Sequence, residues 1–286
     1  MLQREKLRWG SAIAASVAVL YLVLLPRNQA LYDLLVFPCP DPRTPNVDGK
    51  FDQLKSVGIT KKDVVFRSAN GRLLRGWFIE LPGTKRVFLY SHAKGNNIYG
   101  KIHIARNLLL CGGSVLMYDY QGYGRSEGKA SIDNACDDAV AAYDYLNQRE
   151  NRDTKDIIAF GESMGAGVTT ELVQRRTVGG VILHSGFSSL MSAGRETLPW
   201  LRLYPDWCFP RRILDVVAVF RKPHPPLLLI HGHDDTVTCV KNSEEIYSQA
   251  LEPKTLVVLP DVGHCSFGKS NEAVDAIKNF LKQNHL

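Results

Sequence analysis

The stretch "IIAFGESMGAG" (residues 157–167) decides how the rest of the chain is read. Four apolar residues run without a break into Gly161, Glu162 and Ser163, and Met164 and Gly165 follow at once. A short, continuous apolar run bounded by glycine is the pattern of a strand buried on both faces. The residues after it, 164–175, carry a helical pattern. A serine at such a junction, with small residues two positions to either side, matches G-x-S-x-G, in which a sharp turn lifts the hydroxyl clear of the sheet. An ordinary strand-to-helix turn is the plain alternative. The motif alone is weak, so the rest of the chain has to decide.

Working outward, "DVVFRS" and "RLLRGWFIE" flank an Asn-Gly at 70–71, which suits a hairpin turn. Further apolar runs follow at 86–92, 114–120, 180–185, 226–232 and 255–260, all expected to be strands covered on both faces. Helices are expected at about 98–110, 132–149, 164–175, 241–250 and 271–284. In 132–149, Ile132, Ala135, Ala139, Ala142 and Tyr145 keep a three-to-four spacing with acids between them. Strand and helix alternating in this way imply an α/β fold with a mostly parallel, doubly wound sheet, whose working site lies at the carboxyl ends of the strands. Residues 186–222 interrupt the rhythm with an excursion far longer than a usual connection. It carries Trp200, Tyr204, Trp207 and Phe209, with six basic residues against three acids, and reads as a helical cap over the site.

The 286 residues are 45% hydrophobic and 22% charged, which is ordinary globular composition for a domain with a sizeable core. A net charge of +6, with no long basic run and no basic helix studded with aromatics, argues against nucleic acid, and none is expected as a partner. The N-terminus is the outlier: Arg4, Lys6 and Arg8 precede an uncharged stretch from Trp9 to Pro26. At 1.5 Å per residue this is about 27 Å of helix, enough to cross a bilayer. Residues 1–27 are therefore expected to be an uncleaved membrane anchor, with a cleaved signal peptide and a buried helix as alternatives. The charge order places the N-terminus in the cytoplasm and the domain beyond the membrane. Residues 28–59, with four prolines between 37 and 46, read as a stiff connector, and 60–286 as the domain. Six cysteines show no metal spacing, and nothing calls for a cofactor.

A serine hydroxyl becomes a competent nucleophile only when a base takes its proton. Two later strands each end on a suitable group: "LLLIHGHDDTV" offers Asp234 and Asp235, and "LVVLPDVGHCSF" offers His264. The chain order Ser, Asp, His differs from that of the two familiar protease classes. His264 would accept the proton of Ser163, and an aspartate would hold its ring. An oxyanion needs two N–H donors, expected from the backbones of Met164 and Lys94, the latter in "SHAKGNN" (91–97). His92, His184, His231 and His233 read as strand-end residues making backbone hydrogen bonds. Asp261 reads as a turn residue and Glu162 as a solvated turn acid.

Together, "LYSHAKGNN", "MYDYQGYGRSEG", "GESMGAG", "HGHDDTV" and "VGH" resemble the α/β-hydrolase-domain serine hydrolases. The likeness covers roughly residues 60–284 and is nearest to the membrane-anchored branch with an H-G-N loop. It implies a Ser163–His264–Asp235 triad, since the family pattern H-G-x-x-D-x-V aligns its acid with Asp235 and its valine with Val237. It also implies an esterase, lipase or thioesterase acting on an acylated small molecule or lipid. A peptidase of the same fold and a non-catalytic binding protein are the alternatives. The usual Gly-Asn of the loop is Ala93-Lys94 here, which weakens the second oxyanion donor. Asp119 and Ser126 read as braces for turns.

Overall fold

The computed structural model describes residues 58–286 apart from 96, 210–213, 266 and 268–270, together with Asn28, Ala30, Asp33, Val36, Phe37 and Arg43. Thr60–Arg67 (β1) and Leu73–Glu80 (β2) pair antiparallel around the Asn-Gly turn, where Gly71 N–H donates to the Ser68 carbonyl at 2.9 Å. Val87–Ser91 (β3), Ser114–Tyr118 (β4), Ile157–Glu162 (β5), Gly180–His184 (β6), Leu227–Gly232 (β7) and Lys254–Leu259 (β8) follow. The strand order is β1-β2-β4-β3-β5-β6-β7-β8, and every pair from β4 to β8 is parallel. β2 meets β4 antiparallel.

Side-chain alternation divides the sheet's apolar residues between two cores. Leu89, Leu116, Ala159, Leu183 and Leu229 face one side, while Phe88, Val115, Phe160, Ile182 and Ile230 face the other. The first side is covered by Ile132–Gln148 (α2), Met164–Arg175 (α3) and Val216–Phe220 (α5); the second by Ile102–Leu110 (α1) and Asn271–Gln283 (α7). Leu190–Thr197 (α4) and Lys241–Gln249 (α6) complete the helices used below. β3 to β7 are buried throughout, as continuous apolar runs require. β8 departs from that expectation: most of it is half-buried and Val258 is exposed, because it closes the sheet edge and pairs only with β7.

The stretch expected to be a connector does more than connect. Asp33 Oδ1 accepts the Ile132 N–H at 2.9 Å and so satisfies a donor at the start of α2. Phe37 packs edge-on against Tyr120 and Tyr123, with ring centroids 6.5 and 6.0 Å away. The apolar stretch Trp9–Pro26 lies outside the described residues. Among the described residues no helix is long and apolar enough to cross a membrane. The five described cysteines are free thiols.

The start of α3 runs backbone against backbone at the end of β3. A Cβ on Gly165 would stand 2.0 Å from the Ser91 carbonyl oxygen, and one on Gly161 2.3 Å from the Gly165 carbonyl oxygen. Gly165→Ala is therefore expected to lower stability by about 2 kcal/mol or more, since backbone on both sides leaves no cheap relaxation. Thermal unfolding should register this as a midpoint lowered by roughly 4–8 °C.

Candidate active site

Ser163 is the hinge between β5 and α3. Its backbone sits at φ 53°, ψ −115°, a region non-glycine residues avoid, and its N–H is held by the His184 carbonyl at 2.8 Å. The strained turn lets a helix start directly after a buried strand, and it aims Oγ toward the carboxyl ends of the neighbouring strands. His264 Nε2 lies 3.0 Å from that Oγ. On its other side, His264 Nδ1 lies 2.7 Å from Asp235 Oδ2.

Of the two adjacent acids, the turn after β7 buries Asp235 and exposes Asp234, which pairs instead with His233 at 2.8 Å on the surface. Asp235 Oδ1 accepts the N–H groups of Val237 and Thr238, both at 2.9 Å. Burial alone would push this carboxyl upward. Hydrogen bonds from His231, His264 and the Thr238 backbone outweigh it and hold the group far below the ordinary carboxylate range. Asp261 takes a positive φ of 52°, in keeping with a turn role.

Three further residues tie the site together and were not among the expected ones. The Ser185 carbonyl accepts from Thr238 Oγ1 at 3.0 Å, and the Ser185 hydroxyl accepts from the Cys265 N–H at 3.2 Å. One residue at the end of β6 thus grips both the acid-bearing turn and the loop that carries His264. His231, expected to make only backbone bonds, contacts the Thr238 carbonyl at 2.8 Å but also Asp235 Oδ2 at 3.2 Å and Ser243 Oγ at 2.7 Å. A readable signal existed: His231 is a polar residue inside a strand that is otherwise apolar.

Glu162 is a correction. It is fully buried rather than solvated, and its Oε2 accepts from Tyr90 at 2.6 Å and from Lys101 Nζ at 2.8 Å. Strand alternation is the reason, since consecutive residues point to opposite faces and Glu162 therefore lies on the far side from Ser163. Its desolvation is outweighed by Lys101, with His184 and Tyr90 adding to the effect, so its pKa is lowered. His184 has Glu162 Oε1 3.8 Å away, and burial lowers its pKa to about 4, which leaves it uncharged at neutral pH.

Of the two expected oxyanion donors, Met164 is the first residue of α3, where amides have no partner inside the helix. Lys94 lies beside it on the wall of the same pocket. His92 is buried, with its pKa lowered to about 4 by burial, and its Nδ1 donates to the Ala93 carbonyl at 2.8 Å. Holding that carbonyl fixes the Ala93–Lys94 peptide, whose N–H must point the opposite way. Asp119 accepts the Ile98 N–H at 2.8 Å, and Ser126 Oγ donates to the Asp119 carbonyl at 2.6 Å, so both brace turns.

The pocket beyond Ser163 is apolar: Val36, Met164, Phe187, Leu190, Ala193 and Val237 form most of it. α4, from the long 186–222 excursion, supplies one wall, and Val36 from the supposed connector supplies another. Its volume is about 60 Å³. Among the described residues, no cluster of His, Cys, Asp and Glu is arranged to hold a metal.

A family model described as "Serine aminopeptidase, S33" matches residues 83–224. An uncharacterised protein of Mycobacterium tuberculosis is 32% identical over 242 residues, covering 82% of this chain and 84% of that one. The α/β hydrolase domain-containing protein 17C of Xenopus laevis is 28% identical over 220 residues, or 76% and 68% of the two chains. Among solved structures, an esterase of Pyrococcus furiosus superposes with a TM-score of 0.70 at 23% identity, covering 85% of this chain and 97% of its own. The chain belongs to the α/β-hydrolase family and has its fold.

The buried Glu162–Lys101 pair makes a test of the site's support. Glu162→Gln strands a buried ammonium and should cost about 3 kcal/mol or more. In the wild type, a carboxylate whose pKa is lowered by folding contributes fully above the unfolded glutamate value of about 4.3, and the contribution is lost as pH falls below that value through the lowered folded one. Urea midpoints measured from pH 7 to pH 3 should therefore fall less steeply in the Gln variant than in the wild type.

Proposed function

We propose that this protein is a serine hydrolase that cleaves a carboxylic ester or thioester of a lipid or other acylated molecule through an acyl-enzyme on Ser163. The observation that carries this reading is the continuous chain Ser163 Oγ–His264 Nε2 at 3.0 Å and His264 Nδ1–Asp235 Oδ2 at 2.7 Å, opening on an apolar pocket. His264 takes the hydroxyl proton as Ser163 Oγ attacks the carbonyl carbon, and Asp235 stabilises the resulting imidazolium. The amides of Met164 and Lys94 receive the developing oxyanion, each donor worth about 3 kcal/mol of barrier. The tetrahedral intermediate collapses, and His264 returns the proton to the departing alkoxide or thiolate. Water, deprotonated by the same imidazole, then attacks the acyl-enzyme and releases the acid with free Ser163.

Aminopeptidase chemistry, which the matched family's description names, requires an acidic group to hold a free amine. Among the described residues lining the pocket none is acidic, and Lys94 brings the opposite charge. Ester or thioester cleavage is therefore favoured. The excursion at 186–222 is read as the cap over the pocket. The uncharged stretch Trp9–Pro26 supports a single membrane anchor, with the domain on the non-cytoplasmic side.

A fluorophosphonate probe should label the wild type, and Ser163→Ala and His264→Ala should each lower ester hydrolysis by at least about 10³-fold. A well-folded wild type that resists labelling would sink the proposal. For the pocket, Gly194→Phe projects a ring from α4 into the acyl space. It should lower kcat/KM for p-nitrophenyl butyrate about tenfold or more, with a smaller loss for the acetate. Equal losses on both esters would place the acyl group elsewhere.

A further inference from the structure

We propose that His231 is a positioning residue for the Asp235 carboxylate, holding from behind the same oxygen that orients His264. The inference rests on the Ser163–His264–Asp235 reading above and adds a fourth member to it. His231 is fully buried near the end of β7. Its Nε2 faces two acceptors, the Thr238 carbonyl at 2.8 Å and Asp235 Oδ2 at 3.2 Å, so that nitrogen carries the proton. Nδ1 of the neutral ring is then an acceptor, and the Ser243 hydroxyl 2.7 Å away donates to it. Ser243, the imidazole and the Thr238 carbonyl form one line of hydrogen bonds that uses both ring nitrogens, and Asp235 Oδ2 sits 3.2 Å from the same Nε2 as its second, charged neighbour.

The consequence lies in how Asp235 is divided. Oδ1 is pinned by the amides of Val237 and Thr238, which fixes the tilt of the carboxylate. Oδ2 is shared between His264 at 2.7 Å and His231 at 3.2 Å, with Thr238 Oγ1 also at 3.2 Å. A donor placed behind Oδ2 does two things. It stops the carboxylate swinging away from His264, and it draws charge from the oxygen, so that Oδ2 holds the His264 proton less tightly than a bare carboxylate would. The other titratable and charged groups around the pair are His184 on β6, Glu162 on β5 with Lys101 bound to it, and Cys265 beside His264. On the solvent side they are His233, Asp234 and Lys94. Of these, His184 also feels His231 electrostatically, but burial is the larger cause of its lowered pKa, so it stays neutral when 231 is changed.

Gln and Asn separate this role from packing, because the amide nitrogen of Gln reaches the place of the imidazole Nε2 and that of Asn only the place of Nδ1. With the full-length chain and p-nitrophenyl butyrate, His231→Leu should lower kcat about ten- to a hundredfold with little change in KM. The acid limb of its kcat/KM profile should move up by about half a pH unit, because Oδ2 then stabilises protonated His264 more strongly. His231→Gln should restore most of kcat and the wild-type limb, and His231→Asn should behave like the Leu variant. A Gln variant as impaired as Asn, or a folded Leu variant with wild-type kcat and limb, would overturn the proposal. If Leu fails to fold, the Gln–Asn comparison decides alone. Full activity in His264→Ala would instead sink the underlying reading, whatever happens at 231.

Discussion

A helix can begin one residue after a fully buried strand only where no side chain stands between the two backbones. In this chain that condition is met at Gly161 and Gly165, whose missing Cβ atoms would lie 2.3 and 2.0 Å from carbonyl oxygens. Everything at the site follows from that contact. It forces the reversal onto Ser163, which takes up the strained φ of 53°. It also presses the start of α3 against the end of β3, so the loop after β3 reaches the same pocket as Ser163. Strain at Ser163 persists because packing on both sides over-determines it, with the His184 carbonyl fixing its amide.

The remaining groups arrive on separate loops and need a common reference. Ser185 provides it, at the end of the strand lying between β5 and β7. Its carbonyl and hydroxyl hold Thr238 and the Cys265 amide, so the acid turn and the histidine loop are both registered to one backbone position. A close crossing reinforces this, since the Val262 carbonyl oxygen lies 2.2 Å from where a Cβ on Gly232 would be. The loop bearing His264 can therefore lie directly over the turn bearing Asp235. The spacing of the three side chains is then a property of the sheet's carboxyl edge.

Much of this was legible in local pattern. Uninterrupted apolar runs marked β3 to β7, and the order of Ser163, Asp235 and His264 along successive strand ends pointed to residues that lie within hydrogen-bond reach. Choosing Asp235 over Asp234 required the family pattern, because both sit in one turn and only packing decides which turns inward. What was not legible depends on contacts distant in sequence. Glu162 looked like a turn acid because its partners, Tyr90 and Lys101, come from other segments. Val36 and Phe37 sit in a proline-rich stretch with no periodicity, and their place is set by Tyr120, Tyr123 and the pocket. β8 carries the same apolar signature as its neighbours, and only its position at the sheet edge leaves it half covered.

Two buried carboxylates lie near His264, and they are handled differently. Asp235 bonds the imidazole directly and must stay ionised if it is to stabilise the positive ring. Glu162 lies one layer deeper, and its charge is matched by Lys101 at 2.8 Å. Burying such a pair seldom adds stability, because desolvation offsets most of the attraction. Its value under the proposed mechanism is electrostatic. An unmatched Glu162 would favour a charged His184, whose Nδ1 lies 3.8 Å from Glu162 Oε1. With Lys101 present, His184 stays neutral and Asp235 remains the carboxylate in direct contact with the imidazole. Under the proposed mechanism, the carboxylate that tunes the base is thus the one whose Oδ1 is pinned by the amides of Val237 and Thr238.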